Sequence, residues 1–133
     1  MSRKAKPLEP PAHVTFDEWT RCKPWIEGAL KYAHGTHTIG DVFEEIVANH
    51  ATLWCWDRSA LVTQIVDYPQ IRVLNFWLAG GDLRDLLAHE AGVAAWGKAN
   101  GCQRVSCIGR KGWLRVFHRM GYRPAHFITS REL

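Results

Sequence analysis

The 133-residue sequence lacks any apolar run near the roughly 18–20 residues needed to span a bilayer. Its basic N-terminus is followed by no apolar stretch of the signal-peptide kind. Both absences predict a protein without a membrane span, cytoplasmic by expectation. The four cysteines, Cys22, Cys55, Cys102 and Cys107, form no C-x-x-C pair. Neither a redox motif nor a disulfide framework is indicated, and the thiols are expected to be reduced and partly buried. There is no repeat at solenoid spacing, no P-loop and no serine elbow. His89–Glu90 starts like H-E-x-x-H, but Val93 stands where the second histidine belongs. His34 and His37 share a loop with nothing nearby to complete the usual four zinc ligands. No metal is expected. Acid is nearly missing from the last third, where residues 98–133 hold 1 acidic side chain against 8 basic ones.

What is present is ordinary globular material: 47% hydrophobic and 23% charged residues, which excludes a disordered chain, a collagen-like repeat and a coiled-coil rod. The length suits one domain with one core. Seven tryptophans predict an aromatic-rich core or a partner surface. The net charge of +4 is unevenly spread: +2 over residues 1–31, −5 over 32–97 and +7 over 98–133. A basic block of this kind meets phosphate, nucleic acid or an acidic partner, or forms a solvated face. Residues 1–13, MSRKAKPLEPPAH, have too many prolines for a packed element and read as a basic arm. Residues 14–133 read as the domain.

Hydrophobic spacing then orders the chain. Helical signals begin near Trp19, and Pro24 suits the first turn of a helix over 24–33. HGTHTIG forms a loop, and a second helix covers about 39–49. Three alternating segments, 51–56, 60–68 and 71–78, joined by short turns, predict an antiparallel meander. A long helix over 82–100 is capped by Asp82 and stopped by Asn100–Gly101. A strand over 104–108, a short helix over 111–120 ended by Gly121, and a last strand over 125–130 complete the order α-α-β-β-β-α-β-α-β. A meander followed by crossovers implies an α/β fold, a mixed sheet with helices on both faces.

This order, with RVFHRMGY at Arg115–Tyr122 and WGKANGCQRVSCIG before it, resembles the Gcn5-related N-acetyltransferase (GNAT) superfamily over about residues 19–130. The resemblance implies acetyl-CoA as cofactor. It implies that the cofactor's pyrophosphate meets the start of the long helix, where small residues admit the backbone and the helix dipole favours anions. The corresponding positions are Leu78-Ala79-Gly80-Gly81-Asp82-Leu83, so Ala79, Gly80, Gly81, Asp82 and Leu83 are the candidate cofactor-binding residues. Only the central Gly81 keeps the family's loop pattern. Leu78 replaces its leading Arg or Gln, Leu83 replaces its closing small residue, and Asp82 puts an anion beside the phosphates. The tyrosine that many members use to protonate the departing thiolate is matched by Phe117. The third meander strand has no acid, and Asn75 is its only neutral polar side chain. Asp67 and His118 remain as catalytic candidates, with His89 beside them, each also readable as an exposed residue.

The sequence therefore predicts the family's scaffold without much of its chemistry: a structural or interaction protein with no cofactor. The stretch from Ala88 to Arg115 is similar to small acetyltransferase-like proteins of tailed bacteriophages, which implies a virion or assembly setting. The alternative is a working acetyl-CoA-dependent N-acetyltransferase. The two separate at the LAGGDL segment, which is either open for a ligand or filled by Leu83 or Trp77. Lys111, Arg115 and Arg119 fall on one helix face and are the candidate partner-binding residues, for a protein or for nucleic acid.

Overall fold

The computed structural model describes residues 15–109, 112–126 and 128–133, the side chain of Leu114 excepted. The expected arm over 1–13 and Lys111 lie outside the described residues. The chain opens with α1 (Phe16–Leu30). Thr15 starts it with a capping box: the Glu18 N–H donates to Thr15 Oγ1 at 3.2 Å and the Thr15 N–H donates to Glu18 Oε2 at 3.2 Å. This cap begins the helix earlier than the apolar spacing predicts, so Pro24 sits inside it rather than in its first turn. A second box, Thr38 with Asp41, starts α2 (Ile39–Val47).

The sheet holds four strands in the order β1-β2-β3-β4. β1 (Thr52–Cys55), β2 (Ser59–Asp67) and β3 (Arg72–Gly81) form the expected antiparallel meander. α3 (Leu83–Ala99) carries the chain across to β4 (Arg104–Cys107), which pairs parallel to β3. α4 (Trp113–His118) follows. The expected last strand is not in the sheet: residues 125, 126 and 128–130 have no strand structure, while Phe127 lies outside the description. Every described side chain from Arg123 onward is exposed. These described side chains thus contribute little burial to offset the entropy of ordering the segment.

Alternation along the strands builds one core on each face. Leu53, Ala60, Val62 and Leu78 pack with Trp19, Cys22 and Ile26 of α1 and Val42 of α2. Trp54, Leu61, Leu74 and Phe76 pack with Leu86, Val93 and Trp96 of α3. Helices on both faces of a mixed sheet are therefore observed, as the sequence implies. The alternation slips once. Val62 pairs with Leu78 and Thr63 with Phe76, so Trp77 is an extra residue on β3. Trp77 and Leu78 consequently both face the α1 core. This is a β-bulge.

Candidate functional site

The bulge stands where the sheet divides. β4 pairs with β3 only as far as Phe76↔Cys107, and the last bond across is the Ile108 N–H to the Phe76 carbonyl at 3.2 Å. β3 runs on through Gly81 without β4 beside it. Neither expected plug enters this split. Trp77 turns to the α1 side, where its ring lies 4.8 Å from that of His37, and Leu83 is exposed. The Thr36 hydroxyl donates to the Ala33 carbonyl at 3.0 Å. It can therefore only accept from His37 Nδ1, 2.8 Å away. Asn75, on β3 before the bulge, is buried, and its Oδ1 has no partner. A buried acceptor of this kind calls for a water or a ligand group.

The LAGGDL segment is a strand end, not a loop. Ala79, Gly80 and Gly81 pair with Leu61, Ala60 and Ser59 of β2. A Cβ on Gly80 would collide with the Trp25 carbonyl, and one on Gly81 with the Arg58 carbonyl. Close packing on α1 and on the β1–β2 turn accounts for both glycines. The Asp82 N–H donates to the Arg58 carbonyl at 2.7 Å. In α3, the Asp85 N–H is taken by Asp82 Oδ1 at 3.0 Å and the Leu86 N–H by the Asp82 carbonyl at 3.0 Å. Of the first-turn N–H groups only those of Leu83 and Arg84 are left over. Asp85 adds a second carboxylate to this turn. It accepts from Ser59 Oγ at 2.7 Å and from the Arg58 N–H at 3.2 Å. The bond from Ser59 is the main reason its pKa lies below the ordinary value, so it stays charged. Arg84 returns one positive charge to the turn. At about 5 Å and an effective dielectric constant near 20, each carboxylate would still repel a phosphate charge by about 3 kcal/mol. The start of α3 thus presents two N–H groups and one guanidinium beside two carboxylates.

The catalytic candidates are not brought together. Asp67 ends β2 opposite Arg72, at the other end of the strand pair from Gly81. That is roughly 25–30 Å of strand away. Its carboxylate holds the Arg72 guanidinium, at 2.7 and 3.2 Å, and Arg72 Nη1 donates onward to the Asn100 carbonyl at 2.9 Å. His118 is exposed at the end of α4, where Arg123 Nη1 donates to its carbonyl at 3.2 Å. His89 stacks on Trp56, with ring centroids 4.3 Å apart. Phe117 is buried, 5.3 Å from Trp113. The pairing that sequence reasoning missed is Tyr122 with Glu90. The phenol donates to Glu90 Oε1 at 2.9 Å. Burial, and then this bond, push its pKa up. It stays protonated with its proton committed to α3. Nothing in the chain order could announce a contact 32 residues apart.

Of the partner-binding candidates, Arg115 and Arg119 are exposed on α4 and at its C-cap. Among the described residues no group of three His, Cys, Asp or Glu side chains is arranged to hold a metal ion. No described helix is long and apolar enough to cross a membrane.

No protein-family model and no curated protein matches the sequence. Solved structures do share its fold. A Trypanosoma brucei acetyltransferase is 12% identical with a TM-score of 0.62, over 90% of this chain and 96% of that one. A Bacillus halodurans protein, solved as a tetramutant, is 13% identical with a TM-score of 0.65, over 90% and 97%. The glucosamine-6-phosphate N-acetyltransferase of Arabidopsis thaliana is 13% identical with a TM-score of 0.53, over 74% and 80%. At these identities the likeness establishes a GNAT-like fold and no more.

Proposed function

We propose that this chain uses an acetyltransferase-type fold as a structural or interaction component and does not transfer acetyl groups. The observation that carries the reading is the start of α3. Asp82 takes one of the N–H groups an anion would use and leaves those of Leu83 and Arg84, Asp85 adds a second negative charge, and β3 is paired into β2 up to Gly81. Two positions support it: Phe117 has no proton to give, and the Tyr122 proton is held by Glu90. The similarity to bacteriophage proteins points to a virion or its assembly as the setting.

One observation favours the second reading, an active N-acetyltransferase: the split between β3 and β4 is plugged by neither Trp77 nor Leu83. Calorimetric titration with acetyl-CoA decides between them. No heat of binding at millimolar cofactor is expected. Micromolar binding would overturn the scaffold reading and make amine substrates the next search.

A further inference from the structure

Among the described residues, the cations of the basic last third form no ion pair. Lys98 in the last turn of α3, Arg104 on β4, Arg115 on α4, Arg119 at its C-cap and Arg123 beyond it are all exposed. Among the described residues the ion pairs are Arg72–Asp67, His50–Glu45 and His89–Asp85, and none reaches into 98–133. Arg123 Nη1 donates to the carbonyls of His118 and Tyr122 and lies 3.4 Å from His118 Nδ1, contacts that leave its charge uncancelled. Lys98 and Arg104 line one open hollow with Ala94, Cys102, Gln103 and Val105, between α3 and the start of β4. β4 has β3 on one side only, so this hollow borders an open sheet edge.

From this we infer that the β4–α4 end binds the phosphate backbone of double-stranded nucleic acid without reading its sequence. A partner with regularly spaced phosphates offsets several like charges at once and releases counterions as it does so. The aromatic side chains argue for a duplex over a single strand. Single strands are held by bases stacked on exposed rings. Here Phe117 is buried against Trp113, and Tyr122 is tied to Glu90. Contacts that reach only phosphates carry no sequence information. The inference goes beyond the scaffold reading, and the two fail separately.

The test is fluorescence anisotropy with the full chain and two labelled DNA duplexes of unrelated sequence, over salt from about 50 to 200 mM. The expected result is equal affinity for both, in the range of about 10⁻⁶ to 10⁻⁴ M, with log K falling against log salt at a slope of about −4. The double variant Arg115→Ala/Arg119→Ala is expected to flatten that slope by about 2 and to weaken binding at least about tenfold. Both side chains are exposed, so its circular dichroism and melting temperature should match the parent. Arg104→Ala, on β4, gives an independent check with a slope change of about 1. Four results would overturn the inference: no binding at the lowest salt, a flat salt dependence, unchanged binding by the variants, or tighter binding to single strands. Competition by polyglutamate at equal charge concentration would also overturn it, in favour of an acidic protein partner. DNA binding together with acetyl-CoA binding would leave this inference standing and remove the scaffold reading. Neither ligand binding would do the reverse.

Discussion

Arg72 is the one charged side chain that is buried among the described residues, at 6% exposure, and Asp67 is its counter-ion. A guanidinium taken out of water costs several kcal/mol unless it is paired and hydrogen-bonded. Here the carboxylate grips it with two bonds, and Asn100, at the end of α3, supplies a third acceptor. These bonds tie the β2–β3 turn to the far end of α3. Asp67→Ala is therefore expected to destabilise the protein by about 2 kcal/mol, below the full cost of breaking a buried pair because Asp67 itself is half-exposed. Urea unfolding measures this, and an unchanged midpoint would show that Arg72 finds water instead. Asp85 makes a second prediction. Its pKa is lowered in the fold, first by Ser59, from the ordinary 3.8. A lowered carboxylate contributes stability that is fully present above the ordinary value and is lost as pH falls through the folded one. Asp85→Asn should accordingly flatten the acid limb of a melting-temperature profile below about pH 4 and change its slope little at neutral pH. An acid limb as steep as the parent's would place that sensitivity elsewhere.

At the scale of elements, the end of β3 decides what the fold can bind. Ala79-Gly80-Gly81 looks like a turn in sequence because small residues and paired glycines punctuate loops. Their role appears only once the neighbours are known. Gly80 lets β3 pass under the α1 backbone at Trp25, and Gly81, at φ +98°, lets it pass the β1–β2 turn at Arg58. Gly80→Ala and Gly81→Ala should each cost about 2–3 kcal/mol, since backbone atoms cannot step aside as side chains do. Gly92 is the internal control. It lies in α3 with nothing within 4 Å of an added Cβ. Gly92→Ala should raise stability by about 0.5–1 kcal/mol through helix propensity alone. Thermal unfolding of the three variants separates packing from propensity. Were Gly80→Ala as harmless as Gly92→Ala, the packing account of the segment would fall and a phosphate cradle would return as its explanation. The bulge at Trp77 was equally out of reach of sequence reasoning. It shows in the pairing with β2, and the slip in alternation is hidden because Phe76-Trp77-Leu78-Ala79 is apolar throughout.

Across the whole molecule, the parts legible in sequence were those set by local periodicity. The meander, the two amphipathic helices before it and the long α3 follow from spacing and caps, because a stripe or an alternation must face a core. Asp82 was readable as an N-cap in the same way. The ties between distant segments were not legible: Tyr122 to Glu90, Arg72 to Asn100, Trp77 to His37. Those ties also grade the stability of the fold. β2 and β3 lie between the two cores, with a strand on each side over Ala60–Thr63 and Val73–Phe76. β4 has one neighbour, and the chain beyond Tyr122 has only exposed side chains among its described residues. Backbone amides open with free energies that follow such burial, from nearly zero at unsupported ends to the global value in a core. Hydrogen exchange followed by mass spectrometry should thus show its slowest amides in Leu61–Ile65 and Val73–Phe76, intermediate rates in β4 and α4, and exchange near the unprotected rate after Arg123. Protection of residues 128–133 comparable to that of β4 would mean that this segment joins the sheet edge in solution. It would then cover the outer side of β4, and the strip from Lys98 to Arg123 would be narrowed at its centre.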